Sequence, residues 1–163
     1  MILKYFTQLG MMLIGLIFLQ SCDQPKHVAE KPAEEIVQPH EVMFEKIEEG
    51  YLTGNGEEKI APGGMVIRSQ KELDEVIKKM NSVNQTVDPI VFDFDRVTAI
   101  VYFDEIRGSG GYSVDVAAVT ETDETTVVAI KKSASDGMDI EIMTQPYVIG
   151  YIPQTKNQIH FQD

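Results

Sequence analysis

Few side chains in this sequence are equipped for covalent or acid-base chemistry. There is one cysteine, Cys22, and three histidines, His27, His40 and His160. Nucleophilic catalysis needs a base within hydrogen-bond reach of a serine or thiol. The thiol lies near the start of the chain, and His160 is the one histidine in its apolar-rich part. The other two histidines fall in or at the end of a proline- and glutamate-rich stretch, so a histidine-built metal site is not expected. Asp93, Asp95, Asp104 and Glu105 offer the hard oxygens that bind calcium or pair as acid and base. Their order matches no calcium loop. Asp93 and Asp95 lie two apart in a run that reads as strand, where they share the face opposite Phe92 and Phe94, as on a solvated sheet face. The expectation is a non-enzymatic protein without cofactor or metal.

The lone thiol has a different context. Lys4 precedes an apolar stretch from Leu9 to Leu19, and Ser21 stands directly before Cys22. A positive start, an apolar middle and a small residue at the cut are the parts of a secretory signal. The apolar run is short against the roughly 20 residues of a permanent membrane helix. Leu19-Gln20-Ser21-Cys22 resembles the lipobox of bacterial lipoproteins. That resemblance implies removal of residues 1–21 and acylation of Cys22, whose thiolate is the nucleophile. With no second cysteine to form an internal disulfide, acylation also accounts for an odd thiol in an exported chain. The location implied is the bacterial cell envelope, with the protein lipid-anchored at the outer membrane or cell surface.

The formal charge is -12 over 163 residues, and Lys4 is the only charged residue of the leader, so the remainder is more acidic still. Nucleic-acid binding calls for clustered bases. Here they are scattered, with Lys78-Lys79 and Lys131-Lys132 the adjacent pairs. A nucleic-acid partner is therefore excluded, and the acidity serves solubility.

Residues 22–41, rich in proline, glutamate and lysine, read as the lipidated cysteine and a flexible spacer. Residues 42–163, about 120 residues, suffice for one folded domain. Ser69 followed by Glu72 predicts a capped helix, with Leu73, Val76, Ile77 and Met80 as its apolar stripe. Beyond it, β-type runs are predicted at Ile90 to Phe94, Val97 to Phe103, Tyr112 to Val119, Thr125 to Lys131, Tyr147 to Ile152 and Gln158 to Phe161. Turn signals at Asp95-Arg96, Gly108 to Gly111, Thr122 to Glu124 and Asp136-Gly137 separate them. The fold class expected is α+β: a strand-dominated antiparallel sheet of about five or six strands with one packed helix.

Between two of these strands lies Arg107-Gly108-Ser109-Gly110-Gly111-Tyr112-Ser113. Such glycine density means either a connection needing positive φ or backbone that must approach a partner closely; a hairpin connection or bulge with Tyr112 as an ordinary strand aromatic is the plainer reading. Two segments carry a resemblance: Gly110-Gly111-Tyr112-Ser113-Val114-Asp115-Val116 after Ala99-Ile100-Val101-Tyr102-Phe103, and Met143-Thr144-Gln145-Pro146-Tyr147-Val148-Ile149-Gly150-Tyr151-Ile152-Pro153. Together they resemble the PrcB C-terminal domain family over the second half of the chain. The family often carries threonine before the glycine pair, where Ser109 stands here.

That resemblance implies a protein-binding module that associates with a protease or envelope complex and supports the protease's maturation or stability. The contact residues it implies are Ser109, Gly110, Gly111, Tyr112 and Tyr147. Gly111-Tyr112 with a preceding small polar residue is also similar to the loop by which chagasin-type inhibitors enter cysteine-protease clefts, so protease inhibition is one alternative. A structural envelope lipoprotein is the other.

Overall fold

A computed structural model describes residues 38–134 and 141–163. The leader, Cys22, most of the spacer and the Asp136-Gly137 turn lie outside the described residues. Within them, 48% of residues are strand and 9% helix, so the domain is mostly β. The strands are β1 (His40–Glu41), β2 (Glu45–Leu52), β3 (Gly63–Ile67), β4 (Val97–Phe103), β5 (Tyr112–Glu121), β6 (Thr125–Ala134), β7 (Gln145–Pro153) and β8 (Gln158–Gln162); the helix is α1 (Gln70–Met80). They form two four-stranded sheets rather than the single one expected, in the orders β1-β5-β6-β8 and β2-β7-β4-β3. All pairs are antiparallel except β6 with β8. The sheet takes up His40 and Glu41, the last two residues of the expected spacer.

The β2-β7-β4-β3 sheet is the middle of three layers, which explains the nearly unbroken apolar sequence of β4 and β7: strands buried on both faces lose their polar alternation. Ala99, Val101, Phe103, Tyr147 and Ile149 face one way and pack with Leu73, Ile77 and Met80 of α1. Ile100, Tyr102, Val148 and Ile152 face the other way and pack with Val114, Val119, Val128 and Ile130 of the second sheet. The helix begins as its capping pattern dictates: Ser69 Oγ accepts from the Glu72 amide at 3.3 Å. The Glu72 carboxylate reaches back one residue further than the motif requires, accepting from the Arg68 amide at 3.0 Å.

Three further strand assignments differ from the sequence reading. β2 and β3 were absent from it, and Ile90 to Phe94 is not a strand. In that segment Gln70 stands in for a strand neighbour: its side-chain amide donates to the Ile90 carbonyl at 2.8 Å and accepts from the Phe92 amide at 3.1 Å. The aromatic rings account for the rest, since Phe92 packs edge-on against Phe94 at 6.0 Å and Tyr151 at 5.3 Å. Asp93 is thus a turn residue, not a face of a sheet: its carbonyl accepts from the Arg96 and Val97 amides. The Thr122 to Glu124 turn does close a β5–β6 hairpin, with the Thr122 amide donating to the Thr125 carbonyl at 2.8 Å.

Candidate functional site

The glycine-rich segment is neither hairpin nor bulge, because β4 and β5 belong to different sheets. It carries the chain from one sheet to the other. Gly111 sits at φ 105, a conformation that side-chain-bearing residues rarely adopt. The crossing is fastened to the approach to β7: Arg107 and Thr144 exchange backbone hydrogen bonds of 2.7 and 3.0 Å, and Thr144 Oγ1 donates to the Ser109 carbonyl at 3.0 Å.

Arg107 anchors the segment electrostatically. Its guanidinium donates twice to Asp104 Oδ2, at 3.0 and 2.8 Å, and lies 5.0 Å from the centre of the Tyr112 ring. Asp104 is only 1% exposed, and a buried carboxylate needs charged partners to remain ionised. Lys132 supplies the second, 3.3 Å from Oδ1, and in turn bonds Asp163 at 2.6 Å. Asp163 also accepts from the Tyr102 hydroxyl at 2.6 Å. The Lys132 contact is an ion pair out of hydrogen-bonding alignment, since Oδ1 accepts no hydrogen bond. Asp104 is therefore committed to holding β4, β6 and the crossing together. It forms no acid-base pair with Asp93 or Asp95, and among the described residues no three metal-ligating side chains gather.

Tyr147 is remote from Tyr112 in sequence but not in space. β7 pairs with β2 so that Tyr147 stands opposite Gly50. A Cβ at Gly50 would come within 3.0 Å of the Tyr147 hydroxyl. Because position 50 has no side chain, the phenol extends over it toward the margin of β2. Tyr147 is 2% exposed. Burial, followed by the charge of Glu48, pushes its hydroxyl up to about 12.

Gly111, Tyr112 and Tyr147 thus come together in the wall of one cleft of 340 Å³, which Glu49, Gly50 and Tyr51 of β2 complete. Ser109 and Gly110 lie in the crossing beside it and do not line it. No family model matches the chain, and no curated protein or solved structure is significantly similar to it.

The cleft lies between two strand margins. Among the described residues β2 has a neighbour on one side only, and β1 covers β5 only at Thr120 and Glu121, with one further amide bond from Val42 to Val119. Lys46 bridges the two margins, 2.6 Å from Glu49 and 3.1 Å from Asp115. Glu49 chiefly, and then Asp115, hold its ammonium above the usual lysine range. Sequence reasoning missed β2 altogether. The signal was Gly50-Tyr51-Leu52, a glycine before two large apolar residues, hidden by the acidic run ahead of it. A second, larger cleft of 640 Å³ borders the start of β2, where Met43, Ile47 and Val91 are exposed around Phe92 and Tyr151.

Proposed function

We propose that the chain is a lipid-anchored, extracytoplasmic protein-binding module of the PrcB C-terminal kind, held at the cell envelope through Cys22. It acts by gripping a protein partner, a protease or an envelope complex, and not by catalysis. One observation carries the reading: the Gly111-Tyr112 and Tyr147 motifs line a single cleft beside a free strand margin. A free margin supplies main-chain hydrogen bonds to an added segment, and adjacent side chains supply selectivity. The protease-inhibitor alternative asks Tyr112 to enter a partner's cleft. That ring is half-buried with Arg107 over it, which favours a receiving surface over an inserting one.

The test is capture of partners from detergent-solubilised envelopes by the full chain, with Gly111→Asp as the loop variant. A partner held by the wild type and lost by the variant supports the reading. Equal capture by both removes the cleft from it, and a fixed stoichiometric partner retained by the variant points to a structural envelope role. Anchoring is checked separately: Cys22→Ser moves the protein from the membrane fraction to the soluble one.

A further inference from the structure

The cleft has a chemistry of its own, and naming an occupant for it rests on the reading of it as a partner site. Carboxylates dominate its surroundings. Glu49 lines it, Asp115 lies at the β5 margin, and the charge of Glu48 acts on the Tyr147 hydroxyl. Against these stand Lys46, already shared between Glu49 and Asp115, and Arg107, taken up by Asp104.

A buried polar group points the same way. The Tyr147 hydroxyl has no hydrogen-bond partner among the described residues, although the residue is 2% exposed. The hydroxyl oxygen itself is not fully enclosed, and it opens into the cleft that Tyr147 lines. In the free protein water alone bonds it there, and a donor on a ligand takes that water's place.

We infer that the cleft between β2 and β5 receives a cationic side chain, lysine or arginine, carried on an extended segment of the partner protein. The ammonium or guanidinium donates to the Tyr147 hydroxyl and lies beside the Glu49 carboxylate that lines the cleft, while the segment's backbone runs along the free margin of β2. An anion would meet carboxylates there, and an apolar side chain would leave the hydroxyl unbonded. A second copy of this chain is disfavoured as occupant, because the one cation its β2 would bring, Lys46, is already shared between Glu49 and Asp115.

Fluorescence anisotropy with the full chain tests this directly. The probe is a short acetylated and amidated peptide alternating threonine and valine with lysine at its centre; counterparts carry norleucine or glutamate there. The lysine peptide is expected to bind at least about tenfold more tightly than either counterpart, as a charge-assisted hydrogen bond warrants, and to weaken with added salt. Tyr147→Phe, which keeps the ring, and the pair Glu48→Gln with Glu49→Gln each weaken it by about tenfold. The pair Asp123→Asn with Glu124→Gln, on the β5–β6 turn, makes the same charge change and leaves binding intact.

Equal affinity for the three peptides, absence of binding, or insensitivity to the cleft variants overturns the inference. If these occur while Gly111→Asp still abolishes partner capture, the binding-module reading stands without the cation site. If the lysine peptide binds as described while partner capture ignores Gly111→Asp, the reverse holds.

Discussion

At the residue scale, the absence of a side chain at position 50 matters as much as the tyrosine opposite it. Gly50→Ala places a methyl 3.0 Å from the Tyr147 hydroxyl and 3.3 Å from its ring carbon, closer than ordinary contact. The ring must give by a few tenths of an ångström, which displaces its hydroxyl from the cleft. The lysine-peptide affinity is expected to fall in the anisotropy measurement. Arg107→Ala acts differently, leaving Asp104 buried with Lys132 as its one cation. Removing one partner of a buried pair costs several kcal/mol. Arg107 is 28% exposed, which argues for the lower part of that range, about 2–3 kcal/mol, in urea denaturation.

Tyr147 also predicts behaviour in alkali. Its native hydroxyl is pushed up to about 12 from 10.0, so folding favours the protonated form. The resulting stability is complete below pH 10 and lost as pH rises from there through about 12. Absorbance of tyrosinate should show a late-ionising ring that Tyr147→Phe removes, and the variant's stability should fall less over that window. A titration in which no ring is lost from the late phase would contradict the burial assigned to this hydroxyl.

At the scale of elements, legibility followed burial. β4, β7 and the helix were readable because their apolar residues are in the core: the two strands show as nearly unbroken apolar runs, the helix as a strict apolar stripe. Ser69 is the clearest case, since an N-cap depends only on residues within one turn; Ser69→Ala is expected to cost about 1 kcal/mol in thermal or urea unfolding. β2 was unreadable because it is a margin strand. Its sequence EKIEEGYL has only Leu52 fully buried, and a bulge between Lys46 and Glu48 breaks the alternation. β3 opens on Gly63-Gly64, which reads as a turn. In the fold Gly64 leaves room for the Phe161 ring. Ile90 to Phe94 failed in the opposite sense: Ile90, Phe92 and Phe94 do reach the core, but the side chain of Gln70 takes the hydrogen bonds that a neighbouring strand would have offered. The cleft was half legible, because motifs gave Gly111, Tyr112 and Tyr147 while the β2 wall depended on a strand the pattern concealed. Arg107 was named only as the start of the glycine segment, and nothing local reveals that the Asp104 it holds also takes Lys132 from the other sheet.

At the scale of the whole molecule, each sheet is assembled from interleaved parts of the sequence: one takes β1, β5, β6 and β8, the other β2, β3, β4 and β7. Glu45 pairs with Tyr151 across most of the domain's length. Neither sheet can be built from one uninterrupted stretch, so an early fragment has no stable structure to settle into. Long loops must close before their contacts form, which places such topologies among the slow folders, on the millisecond-to-second scale. Stopped-flow refolding should therefore give a slow principal phase, and deletion of β8 should slow or abolish it, because β6 then lacks its parallel neighbour. A chain that stays open until its last strands are present remains threadable for a time after synthesis, and that delay is compatible with passage through a translocation channel as an extended polymer.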